Sequence, residues 1–183
     1  MEEYVVLVDN QDNELGLMKK MEAHEEGVLH RAFSVFVFNS KGEILLQKRN
    51  SKKYHSGGLW SNTCCSHPRP GEGTKSAANR RLIEEMGMQA ELLPAFSFIY
   101  KTELDNNLTE HELDHVFYGF SNNLPNYNTD EVEDYKYISP ELLKLEIEHH
   151  PDDYTEWLKI CLNNLLLHLT KSKNYESEYQ KSN

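Results

Sequence analysis

Residues 50–74 hold four glycines, two prolines and many polar side chains. Glycine and proline both interrupt regular elements, so this stretch reads as one long loop, and loops of that length in a compact domain are as a rule functional. β-type runs precede it at 4–8, 15–18, 32–38 and 43–49, joined by the turn-forming Asp9-Asn10-Gln11-Asp12-Asn13 and Asn39-Ser40-Lys41-Gly42. They predict two hairpins. A helix follows the loop at 74–86, with Ala77, Ala78, Leu82 and Ile83 on one face and Gly87 where a C-terminal cap belongs.

Further β-type segments lie at 92–102, 109–120 and 135–138. Ser139 as N-cap and Pro140 at the first helical position open a helix from Glu141. A last helix is expected at about 151–169, where Trp157, Leu158, Cys161, Leu162, Leu165 and Leu169 repeat at helical spacing. Several strands and three helices predict an α+β fold with helices layered on a sheet. From Lys171 the chain turns polar and is expected to fray.

At 183 residues, 38% of them apolar, the chain has the size and core material of one domain. Its net charge of −11 excludes a general nucleic-acid footprint, so a polyanionic ligand would need a local Lys/Arg pocket or a metal. Three cysteines, two of them adjacent, cannot make a disulfide framework, and no signal peptide is evident. Both point to the cytoplasm. No apolar run approaches the roughly 18 residues of a membrane span.

Asn62-Thr63-Cys64-Cys65-Ser66-His67-Pro68 sets a thiol two residues from an imidazole, a pairing suited to proton transfer, nucleophilic attack or metal binding. Glu110 and Glu112 are two apart on an expected strand, so both carboxylates face one way. Their mutual repulsion calls for a cation, and His24, His30 and His67 are available to complete its shell. Such a set favours zinc, manganese or iron over calcium. Each histidine taken singly also fits a solvated surface position. Cys64 reads as structural, and His111 should point away from the two carboxylates. His115 also has little claim as a ligand, and His149, His150 and His168 read as surface residues.

Arg80-Arg81-Leu82-Ile83-Glu84-Glu85-Met86-Gly87-Met88 resembles the helical half of a Nudix box, in which glutamates offer carboxylates to magnesium. Arg81 stands where that pattern has glutamate and Ser66 where it opens on glycine, while Glu72 keeps the first glutamate.

With Asn62-Thr63-Cys64-Cys65-Ser66-His67-Pro68, the arginine pair with Glu85, and Glu110-x-Glu112 ten residues after Tyr100, the chain resembles the type 1 isopentenyl-diphosphate isomerase family. The resemblance implies an α+β, Nudix-like mixed sheet sandwiched by helices, with an extra N-terminal hairpin and C-terminal helix. The isomerase domain would cover 1–170 and a flexible tail 171–183. It also implies interconversion of isopentenyl and dimethylallyl diphosphate, with Cys65 and Glu112 as acid/base pair and Tyr100 assisting Glu112. Trp157 would stabilise a carbocation through its ring, although its helical spacing with Cys161 fits core packing equally. His24, His30, His67, Glu110 and Glu112 match the family's metal ligands, for manganese, zinc or magnesium. Glu85 matches a ligand of Mg2+ bound with the diphosphate, and Lys20, Arg49, Lys53 and Arg81 match its cationic contacts. The implied partner is a small diphosphate, with no nucleic acid or membrane, and the protein a monomer or weak dimer.

The family commonly has Pro-Gly where this chain has Gly57-Gly58. Two rival readings are a Nudix hydrolase of a diphosphate substrate and a non-enzymatic domain holding zinc through Cys64, Cys65, His67 and Cys161.

Overall fold

A computed structural model describes residues 3–172. The first hairpin pairs β1 (Tyr4–Val8) with β2 (Glu14–Lys19). A short helix, α1 (Lys20–Glu26), follows, then β3 (His30–Phe38) and β4 (Ile44–Arg49). The long loop contains two short strands, β5 (Trp60–Ser61) and β6 (Cys64–Ser66), and leads into α2 (Thr74–Met86). The second half runs β7 (Leu93–Glu103), β8 (Thr109–Phe120), β9 (Val132–Ile138), α3 (Pro140–His149) and α4 (Glu156–Lys171).

The strands form a mixed sheet. β3 and β8 pair in parallel over nine residue pairs, β7 lies antiparallel on β8, and β4 pairs mainly with β9. The expected β3–β4 hairpin touches by one pair, Phe38 with Ile44, because β4 diverges to β9. Alternation along β3 sends Val35 and Val37 to one face and Phe36 and Phe38 to the other. Ala77, Ala78, Leu82 and Met86 of α2 cover the first face, while Leu143 of α3 and Leu158, Leu162 and Leu165 of α4 cover the second. The sheet is thus packed between helices, as expected, with four α-helices among the described residues.

Four features differ from the sequence reading. α1 went unforeseen, being seven residues long, without a side-chain N-cap, and burying only Ala23 and His24. β5 and β6 escaped because the sheet supplies their hydrogen bonds, through β4 and β3, rather than any periodicity of their own. The last helix begins at Glu156, after a 3-10 turn at Pro151–Asp153 and an extended Tyr154 that bridges to Trp60. It also continues to Lys171, and the rest of the expected tail lies outside the described residues. His168 is not a plain surface residue: its half-buried ring lies 6.2 Å from that of Phe96 and 6.1 Å from that of Tyr118. Among the described residues no helix is long and apolar enough to cross a membrane.

Candidate active site

Alternation on β8 puts Glu110, Glu112 and Asp114 on one buried face. The two neighbouring strands then bring partners to Glu112. Tyr100 stands opposite it on β7 and donates its hydroxyl to Oε2 at 2.7 Å. His30 stands opposite it on β3, and His67, just past β6, lies with Nε2 2.8 Å from Oε1. α1 supplies His24, whose Nε2 is 3.5 Å from Glu110 Oε2.

These five side chains were expected to meet, and they do: one donor atom from each lies within 4.8 Å of all the others. Ligands about 2.2 Å from one ion stand up to roughly 4.4 Å apart, so a contraction of a few tenths of an ångström would bring the set onto a single metal. Proton bookkeeping supports the fit. His24 donates Nδ1–H to the Lys20 carbonyl at 2.7 Å, and His30 donates Nδ1–H to the Val28 carbonyl at 2.8 Å. In a neutral ring that leaves each Nε2 as a lone pair facing carboxylate oxygens. His24 Nε2 and Glu110 Oε2 are buried with no hydrogen-bond partner, which a cation between them would relieve. The cluster can therefore hold a metal ion, and its imidazole and carboxylate donors suit a borderline divalent ion.

The histidines already act on the carboxylates. Burial opposes their ionisation, but the His24 ring 3.5 Å away and the His55 ring at 3.0 Å hold Glu110 well below the usual carboxylate range. Glu112 is lowered too: burial and the Glu110 charge oppose ionisation, and His30 and His67 outweigh them. Burial pushes His67 down to about 3, so it is neutral.

Cys65 borders the same cavity, across the β3–β6 ladder from Ser34, while the adjacent Cys64 turns into the core under α2. Burial pushes the Cys65 thiol up to about 11 despite the Arg49 guanidinium, whose Nη1 lies 3.7 Å from Sγ. The Arg49 guanidinium also lies 5.2 Å from the ring centre of Trp157. Trp157 is fixed by its indole N–H, which donates to Ser61 Oγ at 3.0 Å and Asn62 Oδ1 at 3.1 Å. Its two expected roles coincide in space, since the ring is buried in α4 and lines the cavity.

Lys20, Arg49, Lys53 and Arg81 border the cavity as well. Each has a partner already. Lys20 is 2.9 Å from Glu3 and lies over the Tyr54 ring, and Lys53 pairs with Glu131. Arg81 bonds Glu85 at 2.6 Å, Glu84 at 3.0 Å and Glu131 at 3.1 Å. Glu85 stands apart from the His/Glu cluster, buried with one oxygen on Arg81 and the other on Gln47. The acids of the Nudix-like box are thus all paired with arginine, Glu72 and Glu84 sharing Arg80.

The sequence reading missed His55, Gln47, Asp114 and Glu131. Asp114 was findable, because it continues the two-residue series of Glu110 and Glu112. Burial pushes its carboxyl well above the normal range, and the Ser34 hydroxyl donates to it at 2.8 Å. The other three carry no local pattern. His111 turns away as expected, to the Gly27 carbonyl at 2.9 Å, and His115 pairs with Asp12 outside the site. The cysteines do not gather: Cys64 and Cys161 lie in cores on opposite faces of the sheet, and the His/Glu cluster contains neither.

The NUDIX domain matches residues 28–158. "Isopentenyl-diphosphate Delta-isomerase 2" of Aromatoleum aromaticum is 51% identical over 166 residues, covering 91% of this chain and 88% of the relative. The chain belongs to the isopentenyl-diphosphate Delta-isomerase family, within the Nudix fold. A second relative, "Isopentenyl-diphosphate Delta-isomerase 2" of Photorhabdus laumondii, is 52% identical over 90% of this chain and 93% of its own length. Among solved structures, a Deinococcus radiodurans protein superposes with a TM-score of 0.75 at 19% identity, covering 89% of this chain and 99% of that one. The MutT protein of Methanosarcina mazei gives 0.62 at 18% identity, covering 79% and 96%. Those two likenesses concern the fold alone.

Proposed function

We propose that this enzyme interconverts isopentenyl diphosphate and dimethylallyl diphosphate, as the names of its relatives indicate. The observation that carries the reading is one cavity lined by the Cys65 thiol and the Glu112 carboxylate and bordered by Arg49, Lys53 and Arg81.

The alkene carries no activating group. Adding a proton to the terminal CH2 of isopentenyl diphosphate makes a tertiary carbocation, and removing one from the carbon next to the diphosphate-bearing CH2 completes the shift. Acid and base must therefore act on different carbons of one bound substrate. At neutral pH Cys65 holds a proton and Glu112 does not, so Cys65 is the donor and Glu112 the acceptor in this direction. The roles exchange in reverse. Tyr100, whose burial beside Glu112 keeps its hydroxyl protonated, donates to the ionised carboxylate and stabilises it until Glu112 takes the substrate's proton. The Trp157 ring attracts the carbocation without attacking it, an effect worth about 2 kcal/mol when desolvated.

Lys20, Arg49, Lys53 and Arg81 would bind the diphosphate, and Glu85 would take up its Mg2+ by giving up one of its bonds to Arg81 or Gln47. His24, His30, His67, Glu110 and Glu112 would hold a divalent ion, manganese, zinc or magnesium, which would supply positive charge between the two carboxylates. The free cysteines suit a cytoplasmic enzyme. Hydrolysis of a diphosphate is disfavoured, since Arg81 stands where the Nudix box has a glutamate and Glu72 and Glu84 are engaged by Arg80, which leaves few carboxylates for a multi-metal array.

The test is an NMR time course with isopentenyl diphosphate, Mg2+ and the protein in deuterated water. Dimethylallyl diphosphate carrying deuterium is the expected product. Released phosphate without isomer would replace this reading with the hydrolase one.

A further inference from the structure

His55 belongs to no expected set, yet it touches nearly every part of the site. It lies two residues after Lys53 in the loop between β4 and β5 and is only 2% exposed. Its Nε2 is 3.0 Å from Glu110 Oε1, and its Nδ1 is 3.3 Å from Ser56 Oγ. A neutral imidazole has one N–H. On Nε2 it donates to the carboxylate, and Nδ1 then accepts the Ser56 hydroxyl; the other tautomer would set a lone pair against a carboxylate oxygen. With Oε1 so engaged, Oε2 is the oxygen that faces His24 and lacks any partner.

The rest of the residue ties the loop down. Its carbonyl accepts from Arg49 Nη2 at 3.1 Å, and its ring meets the edge of Trp157 at 5.9 Å and stacks on His24 at 5.7 Å. The backbone of the loop beyond it is held by Ser56 N–H, which donates to Asp105 at 3.1 Å, and by Arg49, whose Nε donates to the Ser56 carbonyl at 3.1 Å and whose carbonyl accepts from Gly58 N–H at 3.0 Å. His55 supplies the side-chain link to the His/Glu cluster. Gly58 has φ +78°, and a Cβ on Gly57 would lie 2.6 Å from the Ser51 carbonyl oxygen, so the turn itself tolerates no anchoring side chain.

We propose that His55 is a positioning residue that orients the Glu110 carboxylate for metal binding and locks the Lys53 loop to the metal site. The proposal rests on the His/Glu cluster being a metal site. An outer donor to a ligating carboxylate selects which oxygen meets the ion, and losing such a donor weakens metal affinity about 10- to 100-fold.

Co2+ titration of chelator-stripped protein, followed by absorption spectroscopy, tests this without any turnover. His55→Leu should bind Co2+ about 10- to 100-fold more weakly with an altered spectrum, and His55→Gln, which restores an N–H donor, should recover most of the affinity. Wild-type affinity and spectrum in His55→Leu would overturn the inference while leaving the metal site standing. If the wild type bound no Co2+, the metal reading itself would fall and the inference with it. Should His55→Leu not fold, His55→Asn replaces it: weak binding there beside near-normal binding in His55→Gln supports the role, and equal affinity in the two refutes it.

Discussion

Tyr100 and Glu112 face each other across the β7–β8 ladder, the phenol hydroxyl donating to Oε2 at 2.7 Å while His67 meets Oε1 at 2.8 Å. Both oxygens of the expected base are thereby held before substrate arrives. A hydrogen bond to a charged group contributes about 1.5–3 kcal/mol. Tyr100→Phe should therefore lower kcat about 10- to 100-fold with KM little changed, because the bond acts on the reacting carboxylate rather than on the diphosphate. Steady-state kinetics on purified variant decide it; an unchanged kcat would remove Tyr100 from proton transfer.

Cys65 should behave as an acid rather than a nucleophile at neutral pH. Burial raises its pKa to about 11, so the thiolate fraction at pH 7 is small. Alkylation by iodoacetamide is expected to be slow at pH 7 and to accelerate steadily as the pH climbs toward that value. Cys65→Ala should lose about 10²–10⁴-fold in turnover with the melting temperature nearly kept. Near-normal turnover in this variant is the result that would discard the acid/base pair.

The four cations differ in what their loss should do. The Lys53 ammonium pairs with Glu131 and lies on the loop, so Lys53→Ala should raise KM about tenfold or more with kcat within a few-fold. Arg49 also touches Cys65 and Trp157, so Arg49→Ala should raise KM and lower kcat together. Identical kinetic signatures for the two would contradict the geometry.

Glu131 gives the fold a defined acid limb. Burial opposes its ionisation, but Lys53 and Arg81 pull its pKa from 4.5 down to about 2. A group with a lower pKa folded than unfolded adds stability above the unfolded value and loses it as pH falls through the folded one. Urea midpoints should accordingly fall between pH 4.5 and about 2, and Glu131→Gln should flatten that part of the curve. Parallel curves for the two proteins would refute the assignment.

Metal removal should separate function from folding. The two apolar cores on either side of the sheet contain none of the cluster's residues, so chelation should abolish activity yet leave a folded protein. Loss of an ion present at 100 times its Kd removes about 2.7 kcal/mol, which for a chain of this size is roughly 5–10 °C in Tm. Complete unfolding on chelation, seen by circular dichroism, would instead favour a zinc-stabilised domain.

The seven longer strands, α2 and α3 were legible because their signals are local. Periods of two and of 3.6 residues, Ser139 before Pro140, and Gly87 after Met86 each act within a few residues. α1, β5 and β6 were not legible, since α1 owes its place to burying His24 against the site and the two short strands to hydrogen bonds from β3 and β4.

The site divides the same way. The sequence alone determined the donor types: Glu110 and Glu112 on one face of a strand, a thiol near an imidazole, and, through resemblance, the set His24, His30 and His67. Tertiary structure decided which oxygen of Glu112 meets which partner, that Glu131 bridges Lys53 and Arg81, and that His55 closes on Glu110 from a loop 55 residues away in the chain. Those contacts join segments whose separation in sequence carries no periodicity. Only the packing of α1, the loop and β8 around one buried pair of carboxylates brings them within hydrogen-bonding range.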